Sequence, residues 1–136
     1  MIMIKKQFTL YLENKPGVLA SLTGKLAAAK INIEGISVAE STDVGLVQLV
    51  VSNAEITEKI LTKAQIPFTV QNVALVHLDN KPGALARIVS KLADAHVNIN
   101  YVYATGCDCK DCRGCYAIIS APQLKKVDQI WNAARR

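Results

Sequence analysis

Along the first third of the chain the apolar positions change period twice. Phe8, Leu10 and Leu12 alternate with Thr9 and Tyr11, the two-residue period of a half-buried strand. Asn14-Lys15-Pro16-Gly17 breaks that pattern, with Pro16 placed where a helix can begin, because its missing N–H is not needed there. Leu19, Leu22 and Leu26 then recur at helical spacing, and small Ala27 and Ala29 would let the helix lie close on a sheet. Asn32 ends the helical pattern and opens a strand over 33–39. A turn at 41–43 leads to an apolar run over 46–51. A helix over 55–63 follows, opened by the capping residue Asn53, and then a strand over 67–71. The order β-α-β-β-α-β places two helices on one face of a four-stranded antiparallel sheet.

The same text is then written again. Leu78-Asp79-Asn80-Lys81-Pro82-Gly83-Ala84-Leu85 repeats Leu12-Glu13-Asn14-Lys15-Pro16-Gly17-Val18-Leu19 at an offset of 66 residues, and 12 of the 20 positions from Asn14 to Ile33 are identical in the second copy. Leu85, Ile88 and Leu92 match the helical leucines, Ala93 and Ala95 the small residues, and Asn98 with a strand over 99–105 matches Asn32. The second copy ends with a helix over 123–134 and lacks a last strand. The expected architecture is α+β: two tandem ferredoxin-like modules, 1–71 and 72–136. A sheet edge left open is a liability unless paired or covered. The first strand of the second copy, 73–79, is therefore expected to be completed by another chain or by the partner module, with strong self-association.

Composition narrows the classes. With 51% hydrophobic residues but only two Phe and one Trp in 136 residues, the core must be aliphatic. The net charge of +5 is scattered singly or in pairs such as Lys5-Lys6 and Lys125-Lys126. No basic stripe forms, so nucleic acid is not the expected partner. An RNA-recognition reading of the same strand order would need stacking aromatics on the central strands; 46–51 has none and 115–120 only Tyr116. The leading Met1–Lys6 lacks the layout of a signal peptide, and no stretch approaches the ~20 apolar residues of a membrane helix. A cytoplasmic protein with no membrane contact is expected. His77 and His96 carry no partner pattern that suggests chemistry, and no catalytic constellation stands out; the chain is not expected to be an enzyme.

The Asn-Lys-Pro-Gly turns, each inside a β-α-β pattern with Asn-Ile eighteen residues on, resemble the signature of the ACT-domain family, whose members sense amino acids beside metabolic enzymes. The resemblance covers nearly the whole chain and is greatest to free-standing tandem ACT proteins without a catalytic domain. It implies a small-molecule amino acid bound where the first strand of a module meets its first helix, against a neighbouring module. It further implies a homodimer or higher homo-oligomer and regulation of a metabolic enzyme. The ligand-contact residues it implies are Asn14, Pro16, Gly17, Val18, Leu19, Asn32 and Ile33, with Asn80, Pro82, Gly83, Ala84, Leu85, Asn98 and Ile99 in the second copy. The chemistry fits. Glycine admits a ligand close to the backbone, a helix start offers N–H groups to a carboxylate, and an Asn amide serves both ends of a zwitterion. Asn in these places also serves as an ordinary turn or helix-ending residue. In serine-binding relatives a His stands two residues before the Asn; this chain has Leu12 and Leu78, which leaves an apolar or aromatic amino acid as plausible as serine.

All four cysteines lie within nine residues: Cys107, Cys109, Cys112 and Cys115. They replace the short turn of the first copy. Four thiolates can close a tetrahedron on Zn²⁺ at ~2.3 Å, and the two Cys-x₂-Cys steps are similar to an iron–sulfur run that lacks its Cys-Pro. A reduced or redox-active loop uses the same residues. The alternative function is therefore a metal- or redox-responsive binding protein.

Overall fold

The computed structural model describes residues 2–40, 44–105 and 115–134. They form six strands and four helices: β1 (Ile2–Glu13), α1 (Val18–Ala28), β2 (Ile33–Glu40), β3 (Val44–Val51), α2 (Ala54–Lys63), β4 (Phe68–His77), α3 (Ala84–Asp94), β5 (Tyr101–Ala104), β6 (Tyr116–Ser120) and α4 (Leu124–Ala134). The chain divides into two compact units, one of Lys6–Gln71 and one of Met1–Lys5 together with Asn72–Arg136.

In the Lys6–Gln71 unit the strand order is β2-β3-β1-β4. β1 runs antiparallel to β3, with Phe8 opposite Leu49 and Leu12 opposite Gly45. Tyr11 N–H donates to Pro67 O at 3.2 Å, just ahead of β4. The alternation works as the pattern requires: Phe8, Leu10 and Leu12 of β1 meet Val47, Leu49 and Val51 of β3, and Leu22, Leu26 and Leu61 from the helices close the core. Asn53 caps α2, its side chain accepting from Ile56 N–H at 3.1 Å. Three helices end alike. Lys30, Gln65 and His96 adopt the left-handed conformation, and the next residue's N–H reaches back to Leu26, Leu61 and Leu92 O. Each closure buries or half-buries the apolar residue that follows: Ile31, Ile66 and Val97.

The second unit has the order β1-β4-β6-β5. No strand follows α4 among the described residues. The place beside β4 where a last strand belongs is taken by the leading residues of β1, and Ile2 packs against the unit's own core of Ala74, Val76, Leu78, Ile88, Leu92, Ala117, Ile119 and Val127. The open edge is thus covered from within the chain, by the strand that continues into the Lys6–Gln71 unit. The residues read as two strands over 67–71 and 73–79 form one, β4, which contributes to both units.

Two local expectations are corrected. Pro16 precedes the helix instead of starting it, because Gly17 occupies the N-cap. Ala27 and Ala93 are exposed, and only Ala29 and Ala95 lie against the cores. Leu19 and Leu85, which share the helical spacing of Leu22 and Leu26 and of Ile88 and Leu92, are 38% and 37% exposed, since the first helical turn projects beyond the sheet-facing stripe set by the residues three and seven positions later.

Candidate functional site

The two Asn-Lys-Pro-Gly segments fold identically. Lys15 N–H donates to Glu13 O at 2.9 Å, a three-residue turn centred on Asn14; Lys81 N–H donates to Asp79 O at 2.8 Å around Asn80. A four-residue turn follows, with Val18 N–H to Lys15 O at 3.4 Å and Ala84 N–H to Lys81 O at 3.3 Å. Proline second and glycine third, with Gly17 at φ 88°, ψ −14° and Gly83 at φ 87°, ψ −6°, define a type II turn. That left-handed position is where a side chain costs most, which explains why glycine stands there twice.

The turn leaves the helix start bare. Gly17 and Gly83 at the N-caps have no side chain to cap α1 or α3, and neither helix has an acidic residue in its first turn. The first helical acceptors, Gly17 O and Gly83 O, are taken by Ser21 and Arg87 N–H at 2.9 and 3.0 Å. The amides of residues 19–20 and 85–86 precede any intrahelical partner, in a region that attracts anionic groups. Asn14, Pro16, Gly17 and Leu19 are exposed, as are Asn80, Pro82, Gly83 and Leu85; Val18 is half-buried and Ala84 buried. Surface ion pairs flank the turns, Lys15 Nζ to Glu13 Oε2 at 2.9 Å and Lys81 Nζ to Asp79 Oδ2 at 3.9 Å. Leu12 and Leu78, where serine-binding relatives carry His, are buried in the two cores.

The second set of asparagines is not brought to these turns. Glu13, at the end of β1, pairs with Val44, whereas Ile33, at the start of β2, pairs with Val51. Seven strand residues, roughly 24 Å at ~3.4 Å each, therefore separate Asn14 from Asn32 along the sheet. Asn32 is held by a reciprocal pair with Ser52, its N–H to Ser52 Oγ and its O from Ser52 N–H, both at 2.9 Å. In the second unit Asn80 and Asn98 likewise lie beyond opposite ends of β6, since His77 pairs with Tyr116 and Tyr101 with Ser120. Asn32 and Asn98 are exposed; Ile33 and Ile99 are half-buried against the cores.

Of the cysteines, Cys107, Cys109 and Cys112 lie outside the described residues. Cys115 is 3% exposed and packs in the core with Leu78, whose N–H donates to Cys115 O at 2.8 Å. It is therefore a core residue.

One feature of the second unit was not anticipated. A cavity of about 230 Å³ is lined by His77, Leu78, Asp79, Ala84, Arg87, Ile88, Lys91 and Trp131. Its signal lay in the differences between the copies: Ser21 becomes Arg87, and Leu61, seven residues into α2, is replaced by Trp131, seven residues into α4.

Two compact α+β units, each with a glycine-turned helix start, define a tandem protein of the ferredoxin-like class. The sequence matches the ACT domain pair over residues 3–112, and the chain belongs to that family. Among solved structures it is similar to protein BT0572 from Bacteroides thetaiotaomicron, with TM-score 0.87 and 27% identity over 98% of this chain and 90% of that one. It is also similar in fold to the ligand-free regulatory subunit of aspartate kinase from Thermus thermophilus, with TM-score 0.67 and 17% identity over 99% and 97% of the two chains. Aspartokinase alpha and beta subunits give 0.62 and 16% over 98% and 95%. Comparison with curated proteins gives no match. No helix among the described residues is long and apolar enough to cross a membrane.

Proposed function

We propose that the chain is a non-catalytic cytoplasmic regulator that binds a free amino acid at the Gly17 and Gly83 turns and passes that signal to a metabolic enzyme. The reading is carried by the duplicated type II turn, which presents uncapped amides beside an exposed Asn and an exposed Leu in both copies. The α-carboxylate takes the bare amides, the Asn14 or Asn80 amide group takes part in holding the zwitterion, and Leu19 or Leu85 offers apolar contact to its side chain. Membership of the ACT pair family and the likeness to regulatory subunits of aspartate kinase support a regulatory role. Since Asn14 and Asn32 stand at opposite sheet ends, a ligand touching both kinds of residue joins the turn of one chain to the β2 start of a second copy. Binding then favours the dimer.

A thermal-shift and calorimetric screen of the twenty amino acids tests this. One or a few should raise the midpoint and shift native mass toward the dimer, with affinity at least tenfold weaker in Asn14→Ala or Asn80→Ala. No heat and no shift from any amino acid would refute the proposal. A midpoint moved only by Zn²⁺ or iron would pass the role to the Cys107–Cys115 loop.

A further inference from the structure

The cavity of the second unit adjoins the Asn80–Gly83 turn, sharing Ala84 with the residues expected to contact an amino acid, and runs along α3 to Trp131. Its walls divide by chemistry. Leu78, Ala84 and Ile88 make an apolar floor, all three buried. Arg87 and Lys91, one helical turn apart on α3, supply two cations, and Lys91 Nζ lies 5.8 Å from the centre of the Trp131 ring. The Trp131 Nε1–H is buried and has no hydrogen-bond partner among the described residues. A buried donor left unmatched is uncommon and costs stability unless something accepts from it. Asp79, the one carboxylate in the lining, is opposed by Lys81 at 3.9 Å, so the site carries net positive charge.

We propose that this cavity binds a small organic carboxylate, a dicarboxylate of four or five carbons by its room and its pair of cations. The carboxylates take the Arg87 guanidinium, the Lys91 ammonium and the Trp131 indole N–H, while the short apolar stem lies on Leu78 and Ile88. The volume of 230 Å³ is below the ~300–1,000 Å³ of sites for drug-sized ligands, which favours a metabolite over a nucleotide. The first copy, with Ser21 and Leu61 at the matching places, lacks the second cation and the indole donor. The site therefore belongs to the second unit alone, and its failure leaves the reading of the Gly17 turn untouched.

The single tryptophan of the chain is its own reporter. Intact protein titrated with succinate and glutarate should show a saturable change in Trp131 emission and a shift of its one indole ¹⁵N–¹H resonance. Arg87→Gln and Lys91→Gln should each weaken binding about tenfold or more while keeping the wild-type melting midpoint, and Ser21→Ala should change nothing. An unmoved indole resonance at millimolar ligand overturns the proposal, as does an equal response to inorganic phosphate or an unchanged affinity in both variants. L-Glutamate and L-aspartate form a further arm. If these bind and the plain dicarboxylates do not, the dicarboxylate assignment falls.

Discussion

Replacing Gly17 or Gly24 by alanine adds the same methyl group to the same turn-and-helix segment, yet the structure predicts opposite signs. An ideal Cβ at either position meets no atom within 4 Å, so steric crowding contributes nothing to either change. What differs is the backbone. Gly17 sits at φ 88°, where an L side chain costs about 1–2 kcal/mol. Part of that is offset by the lower chain entropy of the unfolded alanine variant, leaving a loss of about 1 kcal/mol. Gly24 lies inside α1, where alanine is favoured over glycine by about 0.8–1 kcal/mol. The two variants should therefore differ by about 2 kcal/mol, which at a urea slope of ~1–3 kcal/mol/M separates their midpoints by roughly 1 M. Far-UV circular dichroism through a urea series measures this. Gly17→Asn should fall between wild type and Gly17→Ala, because Asn tolerates the left-handed region. Gly17→Ala as stable as wild type, or Gly24→Ala clearly less stable, would refute the assignment of the turn and of the helix start after it.

Two further outcomes follow from the second unit. Burial, and next the neighbouring Tyr101, hold the Tyr103 phenol well above its usual value of 10.0. Both states are protonated below pH ~10, so stability is complete there; as pH rises past it the unfolded chain loses the proton first and stability falls. In an alkaline titration the Tyr103 phenol should ionise well above pH 10, and Tyr103→Phe should flatten the alkaline loss of stability. Removing Met1–Lys5 should lower the unfolding midpoint reported by Trp131 fluorescence and raise the tendency to associate, because the edge of β4 in that unit is bared. An unchanged midpoint would show that those residues do not complete the sheet.

Much of the fold was legible because the local signals agreed with each other. The alternation of Phe8, Leu10 and Leu12 names a strand face without reference to anything distant, Asn53 announces α2, and a repeated Asn-Lys-Pro-Gly announces the same turn twice. What could not be read was allegiance. Residues 2–5 have strand composition, but a period of two does not say which sheet a strand joins. Leu19 and Leu85 fit the helical spacing and still lie outside the buried stripe, since three-residue steps drift across a helix face. The candidate turns were readable residue by residue. That Asn14 and Asn32 stand at opposite sheet ends follows from β1 and β2 both running antiparallel to β3; how far apart they stand depends on strand register, which pairing alone defines. The second-unit cavity was hidden for a related reason: Arg87, Lys91 and Trp131 come together through the packing of α3 and α4, and no linear motif joins them.

The sharing of β1 means that the boundary of the duplication is not a place where the protein can be divided. Cut between 71 and 72, the first piece would carry a surplus strand end with nothing to pair, and the second would lack a partner for its outer strand. During synthesis the Lys6–Gln71 unit has all its residues once they leave the ribosome. Ile2–Lys5, ahead of it, can pair only after the later half arrives. One repeat is thus nested inside the other, and the older half of the chain holds the last piece of the younger.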